Sequence, residues 1–352
     1  MAKDCVIMDK KMIKVLIVDD SVVFREALAR GISKDEGITV VGRAFDPIDA
    51  MKKIEELNPD VLTLDIEMPR MNGIEFLNQL MPKRPLPVVV VSSAPISIFD
   101  ALDAGAVDFV RKPKVSTVAD MDLFCEDMAA KIRIASSARV AKKVSSLPSI
   151  ASIANNLVGI SNKSVIAIGA STGGTEAILS VVESLPATTP GIVIVQHMPP
   201  VFTKMYAERI NKICKMDVDE AKNGDRVVQG KILIAPGGEQ QMTLMKDATG
   251  YFVKLTKGEK VSGHCPSVDV LFNSVAKTAG NNAVGVILTG MGSDGAKGLL
   301  EMRKTGAHTI GQDKDSCVVY GMPMVAQNIG AVEKQCSLTQ IPMQISNFLS
   351  RR

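Results

Sequence analysis

Three residues whose side chains together can break an acyl bond each follow a β-branched run after residue 162 of the chain. Ser171 lies in Gly169-Ala170-Ser171-Thr172-Gly173-Gly174 after VIAI, His197 follows GIVIVQ, and Asp294 lies in Thr289-Gly290-Met291-Gly292-Ser293-Asp294-Gly295 after VGVIL. Strands of a parallel sheet all end on one edge, so a hydroxyl, an imidazole and a carboxylate would converge there as nucleophile, base and orienter. The glycines permit a tight turn and close substrate approach, and the helix after Gly174 offers N–H donors to a developing oxyanion. Each signal alone is weak: a G-x-S-x-G turn can be a plain strand-to-helix connection, and the Asp294 turn could cradle a phosphate or cap a helix. The chain order Ser, His, Asp differs from that of the α/β-hydrolases. GASTGG also lacks the middle glycine and the later acid of a dinucleotide site. Of the other two histidines, His264 could line the same cleft, whereas His308, opening HTIG, reads as structural.

A second cluster lies near the N-terminus. Asp19 and Asp20 end one strand-like run and Asp65 ends another, which would bring three carboxylates to one edge. Such anions repel, and Mg²⁺, a hard ion that takes carboxylate, phosphate and water oxygens, relieves that repulsion. Lys112, before Pro113, would reach the same edge as a point charge, and Ser92 would add a hydroxyl. Acidic strand ends also serve as helix N-caps, the plain alternative for any one of them.

The elements that must position these groups show in the hydrophobic pattern. From Ile13 to about Lys131, IKVLIV, ITVVGRA, VLTLD, LPVVVVS and VDFV alternate with longer amphipathic stretches. Five strands with five helices predict a doubly wound, flavodoxin-like domain with a parallel sheet. Residues 132–161 turn rich in Ser and Ala and carry no acid, which reads as a linker, either solvated or docking through Leu147, Ile150, Ile153 and Leu157. A second doubly wound α/β domain follows over 162–352. Within it KILIA, QMTLM and YFVKL predict an antiparallel hairpin appended to the sheet.

Composition fits this organisation. The 352 residues suit two domains, and 46% apolar with 22% charged residues excludes a mainly disordered, collagen-like or disulfide-scaffold chain. A net charge of +3 does not by itself point to nucleic acid or a membrane surface. The six cysteines form no C-x-x-C pair. No stretch approaches the roughly 18 apolar residues of a membrane helix. A soluble, cytoplasmic protein without nucleic-acid binding or membrane insertion is expected.

The set V-D-D, L-D-I-E-M-P-R-M-N-G, Ser92 and Lys112-Pro113 over residues 13–131 strongly resembles the receiver domain of bacterial response regulators. The resemblance implies that Asp65 accepts a phosphoryl group from a histidine kinase. Asp19, Asp20, Asp65 and the Glu67 backbone carbonyl would hold Mg²⁺, Lys112 and Ser92 would contact the phosphoryl group, and Phe109 would occupy the aromatic switch position. Residues 162 to about 349, through GASTGGTEAI, IVQHMPP, HCPSVDVLF, AVGVILTGMGSDGAKG and SCVVYGMP, look like the catalytic domain of the chemotaxis protein-glutamate methylesterases. Ser171, His197 and Asp294 match that family's triad, and the Met291 N–H its oxyanion donor. What this implies is hydrolysis of glutamate γ-methyl esters on chemoreceptors and deamidation of receptor glutamines, with no cofactor for the esterase step and control through Asp65. One departure is Cys265, where the family often has Arg. Two other readings are a catalytically silent scaffold competing for phosphoryl groups and a transcription factor; the second lacks a basic recognition helix in residues 162–352.

Overall fold

A computed structural model of the chain describes residues 12–93, 95–113, 117–140 and 164–350. Two compact units emerge, Met1–Lys142 and Lys143–Arg352.

The first unit alternates strand and helix throughout: β1 (Ile13–Val18), α1 (Val22–Ile32), β2 (Ile38–Ala44), α2 (Pro47–Leu57), β3 (Val61–Asp65), α3 (Gly73–Lys83), β4 (Val88–Ser92), α4 (Pro95–Asp103), β5 (Asp108–Arg111) and α5 (Val118–Ser136). The strands form one parallel sheet in the order β2-β1-β3-β4-β5. Every residue of β3 and β4 is buried, as central strands covered by helices on both faces require. Local chemistry starts the helices where the sheet needs them. Ser21 caps α1, Asp46 caps α2 just before Pro47, and capping boxes open α3 (Asn72, Glu75) and α5 (Thr117, Asp120). Strand order reverses between β1 and β3, so a crevice opens at their carboxyl ends. The helix α5 continues through Ser136, five residues into the stretch expected to be linker, because Ile132 and Ala135 still sit on its buried face. Residues 141–161 of that stretch, with Leu147, Ile150, Ile153 and Leu157, lie outside the described residues.

The second unit continues with β6 (Val165–Ala170), α6 (Gly174–Val182), β7 (Gly191–Gln196), α7 (Phe202–Ile213), β8 (Asp217–Glu220), β9 (Lys231–Ile234), β10 (Gln240–Asp247), β11 (Gly250–Lys257), α8 (Val268–Ala279), β12 (Ala283–Ile287), α9 (Ala296–Lys304), β13 (His308–Gln312), α10 (Met322–Asn328), β14 (Lys334–Cys336) and α11 (Ile341–Ser350). Its main sheet is parallel, in the order β14-β13-β12-β6-β7-β9-β8. The antiparallel hairpin is β10–β11 alone, a separate two-stranded sheet. KILI, read from sequence as part of that hairpin, is instead the parallel strand β9, lying between β7 and β8. A short apolar run looks the same in either setting, and the long-range pairing decides. Here too the order reverses, between β6 and β12. Val268, Phe272, Ile287, Leu299 and Met302 pack α8 and α9 against this part of the sheet. Gly169 makes room for them: a Cβ there would lie 3.0 Å from Val268 Cγ2 and 3.2 Å from the Phe272 ring.

Candidate active site and acidic cluster

Strand register brings the three catalytic candidates together. Ala170 on β6 pairs with Gln196 on β7, and Ile287 on β12 pairs with Gly169 on β6. Ser171, His197 and the turn starting at Thr289 therefore leave three adjacent strands at one edge. Hydrogen bonds extend the pairing past the sheet: His197 N–H donates to Ala170 O at 3.1 Å, Leu288 N–H to Gly169 O at 2.9 Å and Ser171 N–H to Thr289 O at 3.0 Å. The buried Gln196 amide donates to the carbonyls of both Ser171 (2.8 Å) and His197 (3.1 Å), clamping the serine turn to the histidine turn. At Gly290 a Cβ would lie 2.7 Å from Ser171 Cβ, so this position must be glycine for the Asp294 turn to pass so close to the serine.

His197 Nε2 and Asp294 Oδ2 are 2.8 Å apart, with the side chains 7% and 1% exposed. Asp294 is surrounded by donors, accepting also from Ser267 Oγ (2.7 Å), Val268 N–H (2.8 Å) and Asp269 N–H (3.0 Å). Two of these are backbone groups at the start of α8, where orphan N–H groups and the helix dipole favour an anion. Burial alone would raise the Asp294 pKa, yet the bonds from His197, Asp269 and Ser267 outweigh it and hold the carboxyl below its ordinary range. An ionised carboxylate in this place keeps a proton on Nε2 and leaves Nδ1 as the basic nitrogen. Nδ1 is buried and has no hydrogen-bond partner among the described residues. Against one face of the imidazole lies His264, the rings stacked with centroids 3.6 Å apart and planes 10° from parallel.

The Met291 turn is held from behind. Gly290 N–H donates to Val319 O, while Gly290 O accepts from the N–H groups of Gly321 (3.1 Å) and Met322 (2.7 Å). Met291 itself is 49% exposed, and its N–H meets no acceptor among the described residues. His308 sits elsewhere, bonded to Glu333 at 2.9 Å and stacked on Phe348.

In the first unit, carboxylate oxygens of Asp19, Asp20 and Asp65 lie within 4.8 Å of one another. Asp19 and Asp65 are buried, and Lys112 Nζ bonds to both, at 2.8 and 2.7 Å, over the Phe24 ring. Burial, reinforced by the neighbouring Asp65 charge, pushes the Asp19 carboxyl up to about 6 against the pull of Lys112. For Lys112, burial opposes its charge, and the bonds to Asp19 and Asp65 outweigh it, holding the ammonium above its ordinary range. An all-oxygen set with one carboxylate this strained by its neighbours fits a hard divalent cation. Glu67 N–H donates to Asp65 Oδ1 at 3.0 Å, which ties the loop after β3 to the cluster. Ser92, at the end of β4, is fully buried, and Phe109 on β5 is buried.

Sequence reasoning missed Gln196, Ser267 and Asp269. Ser267 had a readable signal, a serine after proline and before an apolar run, the pattern of an N-cap.

The fold and the two sites define a class: a receiver-type phosphoacceptor unit followed by a hydrolase unit built on a parallel α/β sheet. Residues 15–120 match the family described as response regulator receiver domain, and residues 166–345 the one described as CheB methylesterase. The chain belongs to the CheB methylesterase family. A protein of Syntrophomonas wolfei subsp. wolfei, named protein-glutamate methylesterase/protein-glutamine glutaminase 2, is 56% identical over 344 residues, covering 97% of this chain and 99% of that one. The protein-glutamate methylesterase/protein-glutamine glutaminase of Salmonella typhimurium is 47% identical over 338 residues, covering 95% and 96%. The crystal structure of the Thermotoga maritima CheB methylesterase catalytic domain is similar with a TM-score of 0.51 and 35% identity, over 52% of this chain and 97% of that one.

Proposed function

We propose that this chain is a phosphorylation-regulated chemotaxis methylesterase that hydrolyses glutamate γ-methyl esters on methyl-accepting chemoreceptors and deamidates receptor glutamines. The observation that carries the reading is the 2.8 Å bond to the buried Asp294 from His197, which directly follows the strand adjacent to the one that delivers Ser171. Ser171 Oγ attacks the γ-carbonyl carbon while His197 Nδ1 takes the hydroxyl proton. The resulting oxyanion accepts from the Met291 N–H, and the imidazolium is stabilised by Asp294 through Nε2–H. Collapse breaks the C–O bond, His197 returns the proton to the leaving oxygen, and methanol departs. Water, deprotonated by the same histidine, then attacks the acyl-enzyme, restoring Ser171 and leaving glutamate. With a glutamine substrate the identical sequence releases ammonia.

Regulation falls to the first unit. Asp65 accepts a phosphoryl group from a chemotaxis histidine kinase, and Lys112 and Ser92 contact it. Asp19, Asp20, Asp65 and the Glu67 carbonyl would hold Mg²⁺, which when bound offsets the carboxylate charge and that of the incoming phosphoryl group. The receiver is assigned to residues 13–131 and the catalytic domain to 162–352, with 132–161 between them, although α5 runs into that segment. The cytoplasm is the setting in which both a kinase and receptor signalling segments are met. Among the described residues no helix is long and apolar enough to cross a membrane.

Methanol release from methylated chemoreceptor membranes, with and without a small phosphodonor and Mg²⁺, tests the reading. Release should vanish in Ser171→Ala, and its stimulation by phosphodonor should vanish in Asp65→Ala. Undiminished release by Ser171→Ala would overturn the assignment.

A further inference from the structure

The connection from β11 to α8 is built around His264. Val261 N–H donates to His264 O and His264 N–H to Val261 O, both at 2.9 Å. They close a two-residue turn in which Ser262 (φ 53°) and Gly263 (φ 84°) both have positive φ. This is the arrangement of a type I′ turn, which fixes its flanking residues in tight register. A serine in the left-handed region is uncommon and costs conformational energy. The Ser262 hydroxyl donates to Asp269 Oδ2 at 3.3 Å, and the chain enters α8 at Ser267, whose hydroxyl holds Asp294. The turn is thus fastened on both sides of His264 to the helix start that anchors the carboxylate.

The product of this construction is an imidazole lying flat on His197 at 3.6 Å. Aromatic pairs left to themselves prefer offset or edge-to-face contacts with centroids about 4.5–7 Å apart. A nearly parallel pair at closer range is therefore held by the backbone rather than by ring attraction. His197 has a reason to need it. Its Nε2 is bonded to Asp294, and a single in-plane bond does not by itself fix the tilt of the ring, which sets the direction of Nδ1.

Resting on the reading of Ser171 as nucleophile, we propose that His264 is a positioning residue for the esterase reaction: its ring presses on His197 and keeps Nδ1 aimed at Ser171 while Nε2 stays on Asp294. The contribution is that of a flat surface, which phenylalanine also supplies and alanine does not.

The full-length chain, activated with phosphodonor and Mg²⁺, is assayed for methanol release from methylated chemoreceptor membranes as His264→Ala, His264→Phe and Ser171→Ala. His264→Ala should lower kcat about 10- to 100-fold, the scale of a misplaced catalytic group, with KM little changed, and His264→Phe should recover most of the loss. The chain has only three histidines, so its imidazole ¹H–¹⁵N spectrum contains three rings. The His197 Nε2–H signal should stay sharp in the wild type and in His264→Phe, and broaden by exchange in His264→Ala. Wild-type kcat in His264→Ala, or equal impairment of the Ala and Phe variants, would overturn the inference while leaving the nucleophile assignment intact. Release by Ser171→Ala would instead remove the reading beneath it.

Discussion

Asp294 and Asp269 cap each other's helices. The Asp294 carboxylate, in the loop before α9, accepts from Val268 and Asp269 N–H at the start of α8. Asp269, in α8, accepts from Gly298 N–H at the start of α9 at 2.7 Å. The N-cap of α9 is Gly295, with no side chain to offer, so Asp269 satisfies a donor that the α9 loop cannot. The carboxylate partner of His197 is thereby set by two helix starts at once. The environments also push the two carboxyls apart: donors hold Asp294 low, while burial, helped by the Asp294 charge, holds Asp269 above its ordinary range.

Replacing Asp294 with Asn should lower kcat by about 10⁴, because the amide no longer holds the His197 tautomer or its charged form. The amide also faces three donors besides the imidazole, and leaving one unsatisfied costs about 1–3 kcal/mol. The folded pKa of Asp294 lies below its ordinary 3.8. Its stabilisation is therefore complete above that pH and is lost as pH falls through the folded value. Urea titrations should show the gap between wild type and Asp294→Asn narrowing under strong acid.

Asp269 carries the opposite sign. Its folded pKa lies above 3.8, so its contribution is fully present below that pH and declines as pH rises through the folded value. Asp269→Asn keeps an acceptor for Gly298 N–H and removes the charge. Relative to wild type, its urea midpoint should be higher at pH 7 than at pH 3.5. An unchanged difference would mean that the Asp269 charge carries no penalty at neutral pH.

Gln196 clamps Ser171 and His197 through one amide. Gln196→Leu should leave both carbonyls short of a donor, destabilising the fold by about 1–3 kcal/mol. It should also lower kcat more than it raises KM, since the two reacting side chains lose their common support. Steady-state methanol release and thermal unfolding measure the two effects separately.

In the acidic cluster, Lys112→Met removes the cation shared by Asp19 and Asp65. The first unit should then unfold at lower temperature, and added Mg²⁺ should restore more stability to this variant than to the wild type, because the ion replaces the missing charge by mass action. Asp65→Asn should blunt the Mg²⁺ response and abolish covalent labelling by a phosphodonor. Calorimetry with and without chelator reads the first effect, and phosphate incorporation the second.

Both parallel sheets, and the polar residues that end their strands, are legible in the residues alone. Alternating β-branched runs and amphipathic helices are local patterns, and Ser171, His197, Asp19 and Asp65 each directly follow or end such a run. The residues also carry enough motif to place the family. How those ends are wired depends on long-range contacts. KILI is local and apolar in any setting, and only its pairing with β7 and β8 made it a parallel strand rather than part of a hairpin. Likewise the composition change after Lys131 marked no boundary in the backbone, since buried Ile132 and Ala135 carry α5 onward. His197 and Asp294 are separated by 97 residues, and Ser267 and Asp294 by 27. Which nitrogen meets the carboxylate, which helix start neutralises it and which ring lies against His197 depend on contacts across those separations, where no local periodicity reaches.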